Sequence, residues 1–405
     1  MSHRGRCCAP LLLEVMLHAV GGIAALVEAA GGVPSAWDAR GMPGGGAFFN
    51  LAMHPEDANL VALTTDMGVV FRSESFGDKW TSLPWVQVNG GRAAAVTFTR
   101  GSKAFVVNSN QYGVYGQVPS VSTDRGQTWA ALPSSAGASG QTQTVDSDLD
   151  GKTLLLSDST SLHVSGDGGH QWATVYNASS SQQGLRPAGS PLFTKSGWVL
   201  TATNDAVMSI DPSLVVSAFP WPNASEALLG FAAAEAEDGS IRAYALTALR
   251  ASVSAGMMVE SAMSTCQRVY TTTLASPSAS GNWLPVTKLP ALAGNGGALG
   301  ATFLRMAPGD VSSVYLAGMC MNNCDGLGPQ TAGYPFVMKA DAGGDGDGEW
   351  VHIFRGSNNT RTGWEVSRSQ ALGVLPGYSW CRTAALEFHK SLYAYLRSCV
   401  NLACW

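Results

Sequence analysis

The sequence predicts an all-β chain folded as a seven-bladed β-propeller. Three observations carry that expectation: a repeated eight-residue turn pattern, a steady spacing between its copies, and strand signals that arrive in groups of four. The pattern is Ser-x-Asp-x-Gly-x-x-Trp. It occupies Ser122, Asp124, Gly126 and Trp129, and again Ser165, Asp167, Gly169 and Trp172. A third copy, at Ser73, Gly77 and Trp80, has Ser75 where the aspartate belongs. The tryptophans at 80, 129 and 172 fall 49 and then 43 residues apart. A recurrence of about 40–50 residues is what one four-stranded blade consumes. Ser and Asp side chains can bond the N–H groups of a tight turn, and Gly takes the φ > 0 position. Trp then packs its large ring against the neighbouring blade.

The strands follow in order, each a short apolar or β-branched run bounded by Gly, Pro or Asp. Blade 1 is expected from Phe48–Met53, Leu60–Thr65, Val69–Ser73 and Trp80–Leu83. Blade 2 uses Ala93–Thr99, Lys103–Ser109, Ser120–Ser122 and Thr128–Leu132. Blade 3 uses Thr142–Asp146, Thr153–Ser157, Leu162–Ser165 and Gln171–Tyr176. Blade 4 takes Pro191–Thr194, Trp198–Thr203, Val207–Ile210 and a strand near Trp221, with the spacing kept and the turn pattern gone. Blade 5 takes Leu228–Ala234, Ala243–Thr247, Arg268–Thr273 and Trp283–Val286, with a long loop from Arg250 to Thr265. Blade 6 takes Ala298–Met306, Ser313–Ala317, Pro335–Lys339 and Trp350–Phe354, and its last turn, Asp341 to Glu349, reads as a stretched copy of the repeat. That turn lacks the ligand spacing of a calcium loop. Blade 7 is incomplete, with strands at Thr383–Phe388 and Leu392–Leu396. Either the stretch around Trp37 closes it, as ring closure by both chain ends protects exposed edges, or the C-terminus stops short of a full blade.

Composition narrows the rest. Only 13% of the 405 residues are charged and 47 are glycine, a turn-rich composition with ample material for a core. The net charge of −5 and the lack of a basic run argue against a nucleic-acid partner. Residues 1–32 are expected to be a signal peptide or an N-terminal extension, and 33–405 a single propeller. His3, Arg4 and Arg6 precede an apolar stretch from Cys7 to Val27, which Glu14 and His18 interrupt. Secretion or a lumenal location is the expectation, set against an unprocessed amphipathic helix. No other stretch is long and apolar enough to span a bilayer. Beyond Cys7 and Cys8, the cysteines at 266, 320, 324, 381, 399 and 404 are even in number and suit disulfides. A metal at Cys320 and Cys324 is the weaker reading, since no His lies nearby. Asn177, Asn223 and Asn358 open glycosylation sequons. No cofactor is expected, and the protein is read as a monomer.

Chemistry is sought where second and third strands of a blade join, on the face opposite the repeated turns. Asp66, Asn110, Asp158 and Asp205 stand there, spaced by 44, 48 and 47 residues. They form either a ring of carboxylates and amides around a ligand mouth or a repeated turn-capping position. Tyr112 and Tyr115, in the insertion after Asn110, are candidate ligand-binding residues, either stacking on sugar rings or packing on a neighbouring blade.

The repeat resembles the Asp-box of sialidase-like, sortilin-like and xyloglucanase-like propellers. The opening, Gly44-Gly-Gly through His54-Pro55 and then Thr65-Asp66-Met67-Gly68, is similar to the first blade of xyloglucanase-type glycoside hydrolases (family 74). That resemblance implies that Asp66 is a catalytic carboxylate and that the ligand is a β-glucan-type polysaccharide or oligosaccharide. Val69 stands where the family has a second Gly. The family places substrate between two propellers, whereas this chain has room for one. Inverting glycosidases need two carboxyl groups roughly 6.5–9.5 Å apart, so a partner would come from Asp158, Asp205 or a loop. The alternative is a non-catalytic glycan- or peptide-binding propeller of the sortilin-like kind. The sialidase reading lacks its Arg-Ile-Pro segment, and the photosystem II assembly propellers are similar in scale but lack the Gly-rich opening.

Overall fold

The computed structural model describes residues 48–65, 68–90, 95–107, 119–132, 144–158, 160–177, 188–250, 267–287, 298–306, 310–321, 334–341, 348–355, 372–373 and 384–385. All belong to the unit Gly41–Trp405. They form a β-propeller of four-stranded antiparallel meanders. Blade 1 is β1 (Phe48–Met53), β2 (Val61–Thr65), β3 (Val70–Ser73) and β4 (Thr81–Ser82). Blade 2 is β5 (Thr97–Phe98), β6 (Ala104–Val107), β7 (Pro119–Ser122) and β8 (Ala130–Ala131). Blade 3 is β9 (Thr144–Ser147), β10 (Leu154–Ser157), β11 (Ser161–Ser165) and β12 (Ala173–Asn177). Blade 4 is β13 (Leu192–Phe193), β14 (Val199–Ala202), β15 (Ala206–Ile210) and β16 (Val216–Pro220). Blade 5 is β17 (Glu226–Glu235), β18 (Ile241–Leu249), β19 (Arg268–Leu274) and β20 (Leu284–Pro285). Blade 6 is β21 (Ala298–Met306), β22 (Ser313–Met321), β23 (Tyr334–Asp341) and β24 (Trp350–Arg355).

Seven blades were expected; six four-stranded sheets stand among the described residues. The remainder is a two-stranded sheet of β25 (Leu372–Gly373) and β26 (Ala384–Ala385), with β25 lying beside β1. The reason is how much chain each blade takes. The first strands of blades 1 to 4 begin 49, 47 and 48 residues apart, close to the repeat. β17 to β21 takes 72 residues and β21 to β25 takes 74, because strands there reach nine or ten residues and carry long connections. Strand length is set by how far the apolar alternation runs, and the turn repeat does not encode it.

First strands of successive blades lie side by side: β1 with β5, β5 with β9, β13 with β17, and β17 with β21. The first strand of each sheet is therefore the innermost, around the ring's axis. The core fills the gaps between blades. Phe105, Val107, Trp129 and Leu132 pack with Leu60 and Val70 of blade 1 and Val145 of blade 3. Leu228, Phe231 and Ala243 of blade 5 pack with Leu200 and Val207 of blade 4. Blades 5 and 6 share Tyr244, Leu304, Leu316 and Trp350. Blades thus bury their sheet faces against neighbours, which is why the second strands of blades 1 to 4 are buried throughout.

Asp66, Asn110, Tyr112, Tyr115, residues 1–32, the Trp37 stretch, the strand at Leu392–Leu396 and the cysteine side chains lie outside the described residues. Among the described residues no helix is long and apolar enough to cross a membrane.

Candidate functional site

Two faces of the ring differ in chemistry. On one, the repeated turns join third to fourth strands. Ser122 Oγ accepts the Gly126 N–H at 2.8 Å and donates to Asp124 Oδ1 at 2.7 Å. Asp124 Oδ1 in turn accepts the N–H groups of Gln127 and Thr128 at 3.0 and 2.8 Å. The Trp129 Nε1–H closes the unit on the Gly126 carbonyl at 3.1 Å. The Ser165 turn repeats every one of these bonds through Asp167, Gly169 and Trp172. Gly77, Gly126 and Gly169 all sit near φ +90°, a region that favours glycine. In blade 1 Ser75 replaces the carboxylate, accepting the Lys79 N–H at 2.9 Å and meeting the Ser73 hydroxyl at 3.4 Å. Burial works against the Asp124 charge, yet Thr128, Ser122 and Gln127 together pull its carboxyl down to about 2. The His54-Pro55 turn belongs to this face too. Its imidazole bridges blades, with Nε2 on the Gly101 carbonyl at 3.2 Å and Nδ1 accepting the Glu56 N–H. Arg125 also reaches Asp57 of blade 1 in an ion pair.

The opposite face carries the second-to-third turns and the entry to each inner strand. Thr65 and Gly68 flank Asp66 there; Thr65 Oγ1 accepts the Val69 N–H at 3.0 Å and Gly68 stands at φ +89°. Asp158 is buried at 2% exposure. Its Oδ1 accepts the N–H groups of Thr160 and Ser161 at 2.7 and 2.6 Å, and its Oδ2 meets His163 Nε2 at 3.1 Å. Burial pushes this carboxyl up, but the two N–H groups and the His163 ring outweigh it and hold it low. Asp205 is exposed and ion-paired with Arg250, Nη1 to Oδ1 at 2.5 Å. Neither aspartate bonds the other.

Sequence reasoning missed the cluster beside Asp205. Glu226 opens β17 and is 2% exposed. Its Oε1 accepts from Arg268 Nη1 at 3.1 Å and from the Tyr270 hydroxyl at 3.0 Å, and its Oε2 from Thr247 Oγ1 at 2.9 Å. Arg250 donates to the Glu226 and Ala224 carbonyls, tying Asp205 into the same network. Burial and the Glu226 charge both raise the Tyr270 hydroxyl, against the pull of Arg268. The available signal was a lone glutamate at the head of the apolar run Ala227 to Ala234, with Arg268 and Tyr270 two apart on one face of β19.

Asp146 and Arg305 form a second pair that the sequence did not disclose. They lie on β9 and β21, inner strands of blades 3 and 6, and their charges act on one another. Each is half-buried. Burial pushes the Asp146 carboxyl up to about 6, and Arg305 opposes that rise. Among the described residues no group of three metal-ligating side chains forms.

No family model matches this chain, and no curated protein sequence does. Solved structures are similar in fold. An ancestral enzyme of glycoside hydrolase family 74 superposes at a TM-score of 0.57 and 19% identity, covering 82% of this chain and 42% of that one. The family 74 xyloglucanase of Xanthomonas campestris superposes at 0.51 and 15% identity, covering 79% and 47%. A YCF48 protein bound to D1 peptide gives 0.48 and 16% identity, covering 79% and 86%. The chain spans less than half the length of the two family 74 structures.

Proposed function

We propose that this propeller is carbohydrate-active, a xyloglucanase-type protein whose ligand mouth is the face carrying the Asp66 turn and the Asp205–Arg250–Glu226 cluster. One observation carries the reading: the Gly44 to Gly68 opening, with its His-Pro turn and Thr-Asp-x-Gly segment, set on a fold shared with two family 74 structures. The repeated Ser-x-Asp-x-Gly-x-x-Trp turns are Asp-boxes in this reading. The protein is a secreted or lumenal monomer, with residues 1–32 as its leader and its C-terminal cysteines paired.

In the catalytic form of the proposal, Asp66 is one carboxylate of an inverting pair. Between the two named partners, Asp205 is the better proton-transfer group, because it is exposed and Asp158 is buried under its own turn. Asp205 would have to exchange Arg250 for substrate. The second reading is a non-catalytic glycan- or peptide-binding module. It is favoured by the fact that both described partners are already bonded, Asp158 to its turn and His163, Asp205 to Arg250.

New reducing ends from xyloglucan or β-glucan, lost in Asp66→Asn with binding retained, support the catalytic form. Asn keeps the shape but cannot exchange a proton. Binding without turnover moves the protein to the second reading, and neither binding nor turnover removes the carbohydrate assignment.

A further inference from the structure

We propose that the seam between blades 4 and 5 binds a small phenol or aromatic alcohol, with its ring against Phe219 and Trp283 and its hydroxyl on Ser209. The site lies by the turn joining β19 to β20, on the face away from the ligand mouth proposed above. The Ser209 hydroxyl is what points to a ligand. Ser209 is 1% exposed, and its Oγ makes no hydrogen bond among the described residues. A buried hydroxyl without a partner is uncommon in a folded protein, because its desolvation is left uncompensated. It lines a cleft whose other walls are apolar: Leu200 and Val207 of blade 4, Leu274 and Pro277 of blade 5, and the half-buried rings of Phe219 and Trp283 at the opening.

In the seam between blades 1 and 2 the same place is filled by Arg72. On β3, Val70 packs toward blade 2, and Arg72 follows two residues on. Arg72 Nε donates to the Arg125 carbonyl of the blade 2 turn at 2.9 Å. Its stem lies close under that turn, since a Cβ added at Gly126 would stand 3.7 Å from its Cδ. On β15, Val207 packs toward blade 5 in the same way, but the residue two further on is Ser209. Arg72 pairs with Ala62 and Ser209 with Leu200, each two rungs from its valine. A serine is too short to cross the seam. The facing turn is also longer. Trp129 follows Ser122, the end of β7, by seven positions, whereas Trp283 follows Leu274, the end of β19, by nine. Trp129 is 7% exposed, while the longer turn leaves Trp283 half-buried. Trp221 holds Trp283 there, with ring centres 5.1 Å apart.

The dimensions select the ligand. The closed end admits one water-sized group, about 10 Å³, and the part open to solvent brings the empty space to about 270 Å³. The first suits a single hydroxyl beside Ser209. The second falls below the roughly 300–1,000 Å³ of drug-sized sites and suits one ring. Two aromatic side chains at the opening favour a flat aromatic ring, stacked or edge-on.

Titration calorimetry with phenol and toluene, which exchange a hydroxyl for a methyl, tests the site on wild type, Ser209→Ala and Ser209→Arg, with melting curves as the check on folding. Phenol should bind wild type with a Kd of about 1 mM or tighter, a modest demand on a seven-atom ligand. Toluene should bind about fivefold more weakly, the worth of one hydrogen bond. Ser209→Ala should erase that difference. Ser209→Arg puts into blade 4 the side chain that fills the other seam, and should abolish binding of both. Equal binding of phenol and toluene by wild type would overturn the proposal, since the ligand hydroxyl would then have no partner in Ser209. A folded Ser209→Arg that still binds phenol places the ligand elsewhere and overturns it too, as does failure of wild type to bind phenol. If Ser209→Arg does not fold, Ser209→Ala decides alone, and a preference for phenol that survives there overturns the site. None of these outcomes bears on the carbohydrate reading.

Discussion

Blades 2 and 5 reach the same four-stranded meander by different means. In blade 2 the strands hold two, four, four and two residues; in blade 5 they hold ten, nine, seven and two. Short ladders leave blade 2 few backbone hydrogen bonds, and the side chains of Ser122 and Asp124 supply the turn that the ladder cannot enforce. The corresponding turn of blade 5 has no aspartate, only Ser276 and Ser278, whose hydroxyls meet at 3.1 Å. It depends on its long ladder and on aromatic packing, with Trp221 against Tyr270 and Trp283 at 5.2 and 5.1 Å between ring centres. The lesson is that a propeller blade can be specified locally, by a turn, or non-locally, by extended pairing. Only the first kind repeats in sequence.

The largest expected effect tests that contrast at two tryptophans. Trp129→Ala and Trp350→Ala should each destabilise by about 3–5 kcal/mol, as large-to-small core changes do. They should part in the phenylalanine variants. Trp129 Nε1 bonds the Gly126 carbonyl, so Trp129→Phe leaves that turn open, whereas Trp350 Nε1 is buried with no hydrogen-bond partner. Trp350→Phe should therefore cost less, by about 1 kcal/mol. Equal losses in denaturant unfolding would mean that the turn bond contributes nothing to the blade.

Next in size is a dependence on pH that separates Asp146 from the turn carboxylates. The Asp146 carboxyl is raised to about 6 in the fold against an ordinary 3.8. The folded state then holds more protons than the unfolded state between those values, so stability falls as pH rises from about 4 to about 6. The Asp57, Asp124 and Asp158 carboxyls are lowered. Their contribution is present above about 4 and is lost as pH falls toward 2. Melting temperature should peak near pH 4. Asp146→Asn should flatten the limb above the peak, worth on the order of 1–3 kcal/mol, and leave the acid limb in place. Persistence of the upper limb in that variant would remove Asp146 as its source.

How much of this was readable beforehand follows the same division. Most strands of the six blades are legible in the sequence as apolar or β-branched runs between turn residues, though the one expected near Trp221 lies at Val216–Pro220, and the Asp124 and Asp167 turns are legible down to the residue. Blade number is not, since the lengthening of β17, β18, β21 and β22 leaves no mark on the repeat. The Glu226 cluster and the Asp146–Arg305 pair are hidden for a related reason. The Glu226 cluster joins residues 21 to 44 positions apart that meet only when β17, β18 and β19 pair, and Asp146 and Arg305 stand on strands of different blades. Asp158 looked like a ring carboxylate and also like a turn cap; its bonds to Thr160 and Ser161 are those of a cap.

A smaller effect probes the turn from within. Asp124→Ala removes the acceptor for two backbone N–H groups at the edge of blade 2 and should cost about 1–2 kcal/mol, the worth of a capping side chain. The turn lies on the face away from the second-to-third turns, so the polysaccharide binding proposed for that other face should be unchanged. A matching loss of affinity would mean that the two faces are coupled.

The smallest change runs in the other direction. Blade 1 carries the incomplete copy of the turn, in which the Ser75 hydroxyl accepts the Lys79 N–H at 2.9 Å, meets the Ser73 hydroxyl at 3.4 Å, and leaves Asp78 N–H to the Ser75 backbone carbonyl at 3.1 Å. Ser75→Asp would restore the acceptor that Asp124 and Asp167 provide, bonding the N–H groups of residues 78 and 79 together and receiving the Ser73 hydroxyl. Against this stand two nearby carboxylates. Glu74 is already paired with Arg72 at 2.7 Å, which leaves Asp78 as the main source of repulsion. Exposed like charges in water cost only a few tenths of a kcal/mol, less than a carboxylate cap contributes. The variant should be more stable by about 0.5 kcal/mol at neutral pH, and the gain should vanish as pH falls below 4 and the new carboxyl is protonated. A loss of stability at neutral pH that disappears in Ser75→Asp/Asp78→Asn would show that repulsion outweighs the turn bonds. A loss that persists there would show that blade 1, unlike blades 2 and 3, does not use its turn to hold its short strands.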